Sequence, residues 1–202
     1  MILALDTSTA ACTAALFAAD GRLLASADER IGRGHAERLV PMIEELLAGR
    51  QPERILVGCG PGSFTGLRVS VAAAHGMAIG WQAQLRGFSS LALLAAGAPG
   101  HDGVAVAVTG GHGELFVQQF ERAPLAAAGP LLNLPPGEAA AAITASLVIG
   151  SGAATLVDAR GWGEPVGSLP SARHALLLPP AIADMPPKPI YARAPDAKPK
   201  AA

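Results

Sequence analysis

The stretch Gly60-Pro61-Gly62-Ser63-Phe64-Thr65-Gly66-Leu67-Arg68 decides how the rest of the chain is read. Two glycines around a proline force a sharp turn, and Thr65 is placed to cap a helix that begins at Gly66. Downstream, Leu67 to Gly80 is apolar and poor in bulky side chains, which predicts a buried helix. Upstream, Ile55-Leu56-Val57 predicts a strand. Strand, glycine turn and helix in that order form half of an α/β unit. Free N–H groups at such a helix start also make a natural anion site. The spacing differs from G-x-x-x-x-G-K-[ST], and the stretch holds no lysine. A rigid strand-to-helix connector explains the same residues, and the pattern alone leaves both readings open.

Toward the N-terminus, Ile2 to Leu5 and Cys12 to Ala18 are short apolar runs, and Leu23 to Ala27 is a third. Asp20-Gly21 tolerates positive φ and marks a hairpin between the last two. Leu39, Ile43, Leu46 and Leu47 recur at helical spacing, with Gly49 as a stop. Pro41 fits that helix only if the regular part starts close before it. Leu85 to Gly87 predicts a strand, and Ser89 or Ser90 caps a helix running to Ala96. The order βββ-α-β-α-β-α is an α/β pattern.

Toward the C-terminus, Ala98-Pro99-Gly100 marks the expected boundary between a first unit, 1–98, and a second, 99–202. Val104 to Val108 and Leu115 to Phe120 predict strands, Glu138 to Ala145 a helix, and Leu147 to Ile149 a short strand. After Trp162 the prolines at 165, 170, 179, 180, 186, 187, 189, 195 and 199 predict irregular, loosely packed chain, with a mobile tail from Ala194.

Composition narrows the function classes. The 202 residues carry a net charge of -1, 15% charged and 4% aromatic residues. Lysine occurs only at 188, 198 and 200, so neither a global pull toward nucleic acid nor a base-stacking platform is expected. Mean hydropathy is +0.37, yet the longest weakly polar run, Val69 to Trp81, is too short to span a bilayer. An N-terminus without a basic region, and two cysteines without C-x-x-C spacing, point to a soluble, reduced, cytoplasmic protein.

Other candidate chemistry is sparse. In Asp6-Thr7-Ser8-Thr9, hydroxyls and backbone N–H groups could hold a phosphate and Asp6 a metal-bound water. Side-chain capping of a tight turn is the better reading from spacing alone. His35, His75, His101, His112 and His174 show no metal-ligand spacing, so no metal site is expected. His35 is expected in the turn before its helix and His75 in a packed position. Val148 to Ala153 reads either as a backbone approach site for a nucleotide or as an ordinary turn.

Three segments carry a family resemblance: Ile2 to Thr9, His35-x-Glu37-x-Leu39-x-Pro41, and above all the nine residues from Gly60 to Arg68. Together they resemble the TsaB family, also called YeaZ, the small paralogue of TsaD in bacterial tRNA threonylcarbamoyladenosine synthesis. Gly113-Glu114-Leu115-Phe116, Val148 to Ala153 and Pro189-Ile190-Tyr191-Ala192-Arg193 extend the match more weakly. The resemblance implies an α/β, actin/hsp70/sugar-kinase-like (ASKHA) fold with two lobes of related topology. It implies a subunit that is not itself the transferase. Such a subunit pairs with TsaD, joins the ATPase TsaE in a ternary complex, meets tRNA only indirectly, and forms a homodimer when TsaD is absent. No cofactor of its own is implied.

The helices at about 35–48 and 67–80 resemble the family's docking surface, which makes His35, Leu39, Ile43 and Leu46 candidate contacts on the first. Leu67, Arg68, Val71, Ala74 and Ala78 are those on the second. The candidate anion turns comprise Asp6, Thr7 and Ser8, and Gly60, Gly62, Ser63, Thr65 and Gly66. Two departures stand out. Thr109-Gly110-Gly111 replaces an Asp-Ala-Arg-like segment, and Ser151 stands where an acid is frequent. Both remove charge from the cleft. The competing readings are an ATP-dependent phosphotransferase of the same fold, which needs carboxylates to place a metal, and a peptidase, for which no catalytic spacing exists.

Overall fold

The computed structural model describes residues 1–100 and 103–192. Its first sheet forms from β1 (Ile2–Asp6), β2 (Ala11–Phe17), β3 (Leu23–Arg30), then α1 (His35–Leu47), β4 (Arg54–Gly58), α2 (Phe64–Trp81) and β5 (Gln84–Phe88). The strand order is β3-β2-β1-β4-β5. The hairpin strands pair antiparallel, whereas β4 lies parallel to β1 and β5 parallel to β4. Leu3, Leu5, Ile55 and Val57 face α1 and α2, and Ala4, Leu56 and Phe88 face the opposite side. That alternation is the pleat expressed as two cores.

α3 (Ser90–Ala96) packs into the core between the two sheets. The second sheet follows with β6 (Val104–Thr109), β7 (Leu115–Arg122), β8 (Leu125–Ala127), β9 (Leu132–Leu134), α4 (Pro136–Ala142), β10 (Leu147–Ile149), α5 (Ala153–Arg160) and β11 (Glu164–Val166). Its order is β11-β10-β6-β7-β8, with β9 also on β7. Val104, Val106 and Val108 point toward the first sheet, and Ala105 and Ala107 toward α4 and α5. The chain is mixed α/β with two lobes of the ASKHA type.

Several local expectations change. α1 starts at His35, so Pro41 lies inside it. Both Pro41 and Glu37, the residue whose carbonyl loses its partner, are exposed, so water takes the place of the missing bond. α2 begins at Phe64, capped by Ser63 rather than Thr65. The α4 helix ends at Ala142, three residues before the expected Ala145.

The largest change is after Trp162. Instead of loose chain, a 3₁₀ turn at Ala172–Leu177 and α6 (Pro180–Ala183) return to the first sheet. Ala172, Ala175, Leu178 and Ala183 are buried there. The Ala172 N–H donates to Thr13 Oγ1 at 2.8 Å, Ser171 Oγ donates to Asp28 Oδ2 at 2.8 Å, and Met185 exchanges backbone hydrogen bonds with Gly87. Prolines that forbid regular elements do not forbid burial when side chains and short bridges supply the partners. The tail from Ala194 lies outside the described residues. Among the described residues no helix is long and apolar enough to cross a membrane.

Candidate functional site

β1 ends in a polar turn that the fold seals. Asp6 is fully buried, its Oδ1 accepts from the Ser8 N–H and from Ser8 Oγ, both at 2.7 Å, and its Oδ2 accepts a short hydrogen bond from Ser90 Oγ. Burial pushes the Asp6 carboxyl above its usual range, against the pull of the Ser90 and Ser8 hydrogen bonds. A Cβ on Gly58 would lie 1.8 Å from Asp6 Oδ2. Asp6 is therefore packed into the sheet as an anchor and does not project toward a metal-bound water. Thr7 Oγ1 donates to the Gly66 carbonyl at 2.7 Å, which ties the same turn to the start of α2.

The glycine stretch is explained by this contact. A Cβ on Gly62 would sit 2.0 Å from the Ser8 carbonyl oxygen, and one on Gly66 would sit 2.0 Å from that of Thr7. Gly60 has φ +89°. Only glycine allows these approaches and that backbone. Three of the N–H groups at this turn are engaged internally. The Gly60 N–H donates to Ser90 Oγ at 3.0 Å, the Ser63 N–H to the Ser8 carbonyl at 2.7 Å, and the Gly66 N–H to Ser63 Oγ at 3.2 Å. These contacts are the ones a rigid connector makes at Gly60, Gly62, Ser63 and Gly66. Thr65 is exposed on the first turn of α2.

Opposite this turn, the exits of β6 and β10 form the other wall of a cavity of about 1280 Å³. The Thr109 N–H donates to Ser151 Oγ at 3.1 Å, and the Gly152 N–H donates to the Ala107 carbonyl at 2.9 Å. Gly150 has φ +114° and packs against the Ala107 carbonyl. At the mouth, the Arg68 guanidinium lies 3.6 Å from the centre of the Phe64 ring, and Phe64 and Tyr191 have ring centres 5.6 Å apart. Among the described residues no aspartate or glutamate lines the cavity, and no His/Cys/Asp/Glu group could hold a metal. Burial pushes both Cys12 and Cys59 up to about 11, so neither is poised as a nucleophile.

The family model TsaD, described as tRNA N6-adenosine threonylcarbamoyltransferase, matches residues 28–131. The tRNA threonylcarbamoyladenosine biosynthesis protein TsaB of Escherichia coli is 35% identical over 60% of this chain and 55% of its own. A crystal structure from Pseudomonas aeruginosa, described as an uncharacterized protein with similarity to peptidase YeaZ, aligns with TM-score 0.80. It is 32% identical and covers 95% of this chain and 99% of that one. The chain belongs to the TsaB/YeaZ family. An uncharacterized Mycobacterium leprae protein is also 33% identical across 98% of the chain and 56% of its own length. The chain thus spans a little over half the length of these curated relatives.

In this TsaB/YeaZ chain, most of the residues expected to dock a partner are covered by the chain itself. Leu39, Ile43 and Leu46 of α1, and Val71 and Ala74 of α2, are buried against the first sheet, and Leu67 is buried at the floor of the cleft. His35 is the first residue of α1 rather than part of the preceding turn, and its Nε2 donates to the Ala11 carbonyl at 3.2 Å. These side chains belong to the core because the apolar stripe that marks a helix also buries it. Arg68 stays exposed and Ala78 half-buried. His75, expected in a packed position, is exposed and donates through Nε2 to the Pro187 carbonyl at 3.1 Å. The outer face, which the apolar periodicity hid, comprises Thr65, Arg68, Ala72, His75, Gly76, Ile79 and Gly80 on α2 and Val40 on α1. Its signal was the row of small residues complementary to the buried stripe.

Proposed function

We propose that this chain is a non-catalytic subunit that binds and activates TsaD in bacterial tRNA threonylcarbamoyladenosine modification beside the anticodon. The observation that carries this reading is the outer face of α2. Ile79 there is 80% exposed, and Val40 on α1 is 55% exposed. Ala72, Gly76 and Gly80 keep that side of α2 low, so a partner helix can approach closely. Exposed apolar surface joined to small residues is the signature of a covered interface. In this reading the unit 1–98 supplies the docking helices, TsaE joins the pair, and tRNA is met through the partner. The same face closes a homodimer when TsaD is absent.

The cleft supports the same reading. Among the described residues its lining carries no carboxylate, and Asp6 is engaged inside the sheet, which weighs against the alternative of metal-dependent phosphoryl transfer.

Size-exclusion chromatography of the chain mixed with its cognate TsaD tests the proposal, with co-elution expected. Gly76→Glu should abolish co-elution while leaving stability within about 0.5 kcal/mol, because nothing lies within 4 Å of a Cβ there. Ala74→Glu should instead unfold the chain, since it buries an unpaired carboxylate. Failure to co-elute even with nucleotide and TsaE present would overturn the reading.

A further inference from the structure

A second cavity lies far from the cleft, where β4 and β5 begin. Arg54 pairs in register with Gln84, and Leu56 with Arg86, so Arg54, Gln84 and Arg86 project from one face of the sheet. The returning C-terminal segment covers that face but leaves a pocket of about 400 Å³, walled by Leu176 and Pro180 and edged by Asp184. Such a volume suits a small organic acid rather than a macromolecular surface.

The charges in this pocket do not balance. The Arg54 Nε is buried and has no acceptor. None of the ion pairs among the described residues includes Arg54. Arg86 is engaged through Nε by Asp184 at 2.6 Å, but both side chains are about half exposed, at 48% and 56%. Exposed pairs of this kind are weak and exchange readily with other anions. Two guanidinium groups and one carboxylate leave one positive charge beside an apolar wall. Arg54 is half-buried, and a guanidinium beside an apolar wall is stabilised by an oxyanion that receives its N–H groups.

We propose that this pocket binds a small-molecule oxyanion, a carboxylate or phosphoryl group, with Arg54 as the fixed donor and Arg86 as a donor shared with Asp184. A singly charged group neutralises the pocket as it stands. A doubly charged one does so by displacing Asp184 from Arg86. The site is independent of the docking face and of the cleft, so it stands or falls apart from the partner-subunit reading.

The test is thermal unfolding and titration calorimetry of the full chain with inorganic phosphate and, separately, with acetate, each against sodium chloride at matched ionic strength. A saturable rise in Tm with at least one of the two anions is expected, because a ligand of the native state stabilises it by mass action. The one that acts identifies the group. Arg54→Gln should weaken that binding at least tenfold, Asp184→Asn should strengthen it, and Arg33→Gln should leave it unchanged. If Arg54→Gln does not fold, Arg86→Gln should show a weakening of several-fold in its place. The proposal is overturned if neither anion exceeds the chloride control, or if a folded Arg54→Gln or Arg86→Gln retains the full response.

Discussion

The two walls of the cleft repeat one plan with different materials. In the first lobe β1 exits beside the parallel strand β4, and a glycine turn leads from β4 into α2. In the second lobe β6 exits beside the parallel strand β10, and a glycine turn leads from β10 into α5. Both walls hold a glycine in backbone contact, Gly62 on the Ser8 carbonyl and Gly150 on the Ala107 carbonyl, but the first is locked besides by a buried carboxylate and two serines. The second has in that place a neutral hydroxyl, Ser151, accepting from the Thr109 N–H. A neutral bond can hold such a turn without the desolvation that a buried charge imposes. The comparison teaches that an acid at this place in the topology serves as an anchor in one lobe and is dispensable in the other.

Crowding should separate Gly62 of the first wall from Gly152 of the second most strongly. Gly62→Ala places a methyl group 2.0 Å from a backbone oxygen and should cost more than about 3 kcal/mol. Gly152→Ala meets first the Leu115 Cδ2 at 2.7 Å, the end of a flexible side chain, and should cost about 1–2 kcal/mol. Urea unfolding of the two variants measures both, and equal costs would break the contrast.

The polar anchors come next. Asp6→Ala strands the Ser8 N–H and the hydroxyls of Ser8 and Ser90, and should cost about 2–3 kcal/mol. Ser151→Ala removes one partly exposed acceptor and should cost about 0.5–1 kcal/mol.

The smallest effect is the most diagnostic. Because burial raises the Asp6 carboxyl above its unfolded value, the native state holds more protons than the unfolded state between those two values. Stability from this group is therefore greatest at low pH and declines as pH rises from about 4 through the folded value. The Tm of the wild type minus that of Asp6→Asn should fall over that window and then level off. A difference that grows with pH would mean that the serine hydrogen bonds outweigh burial and hold the carboxyl low.

Much of the first sheet was legible because its signals are local. Alternating apolar runs, the Asp20-Gly21 turn and the Ser89 cap each act within a few residues, and β1, β2, β5 and α3 form close to where these signals place them. The C-terminal third was not legible for the converse reason. Its prolines report what the backbone cannot form locally, while its burial depends on partners such as Thr13 and Gly87, more than ninety residues away. Periodicity identifies the apolar stripe of α2, and that stripe is the side that the sheet covers, so Val71 and Ala74 lie in the core rather than on the outer face.

The sequence by itself determined the α/β order, the family and the sharp turn at Gly60-Pro61-Gly62, since turn chemistry and helix periodicity are short-range properties of the chain. Only the tertiary structure decided what those glycines touch, that Asp6 faces inward to Ser90, and that Arg54 lines a pocket with its Nε left without an acceptor. These outcomes depend on which distant segment arrives at each turn. Burial then fixes whether a polar group becomes an anchor or an open site, because a charge removed from water must find its partner within the fold.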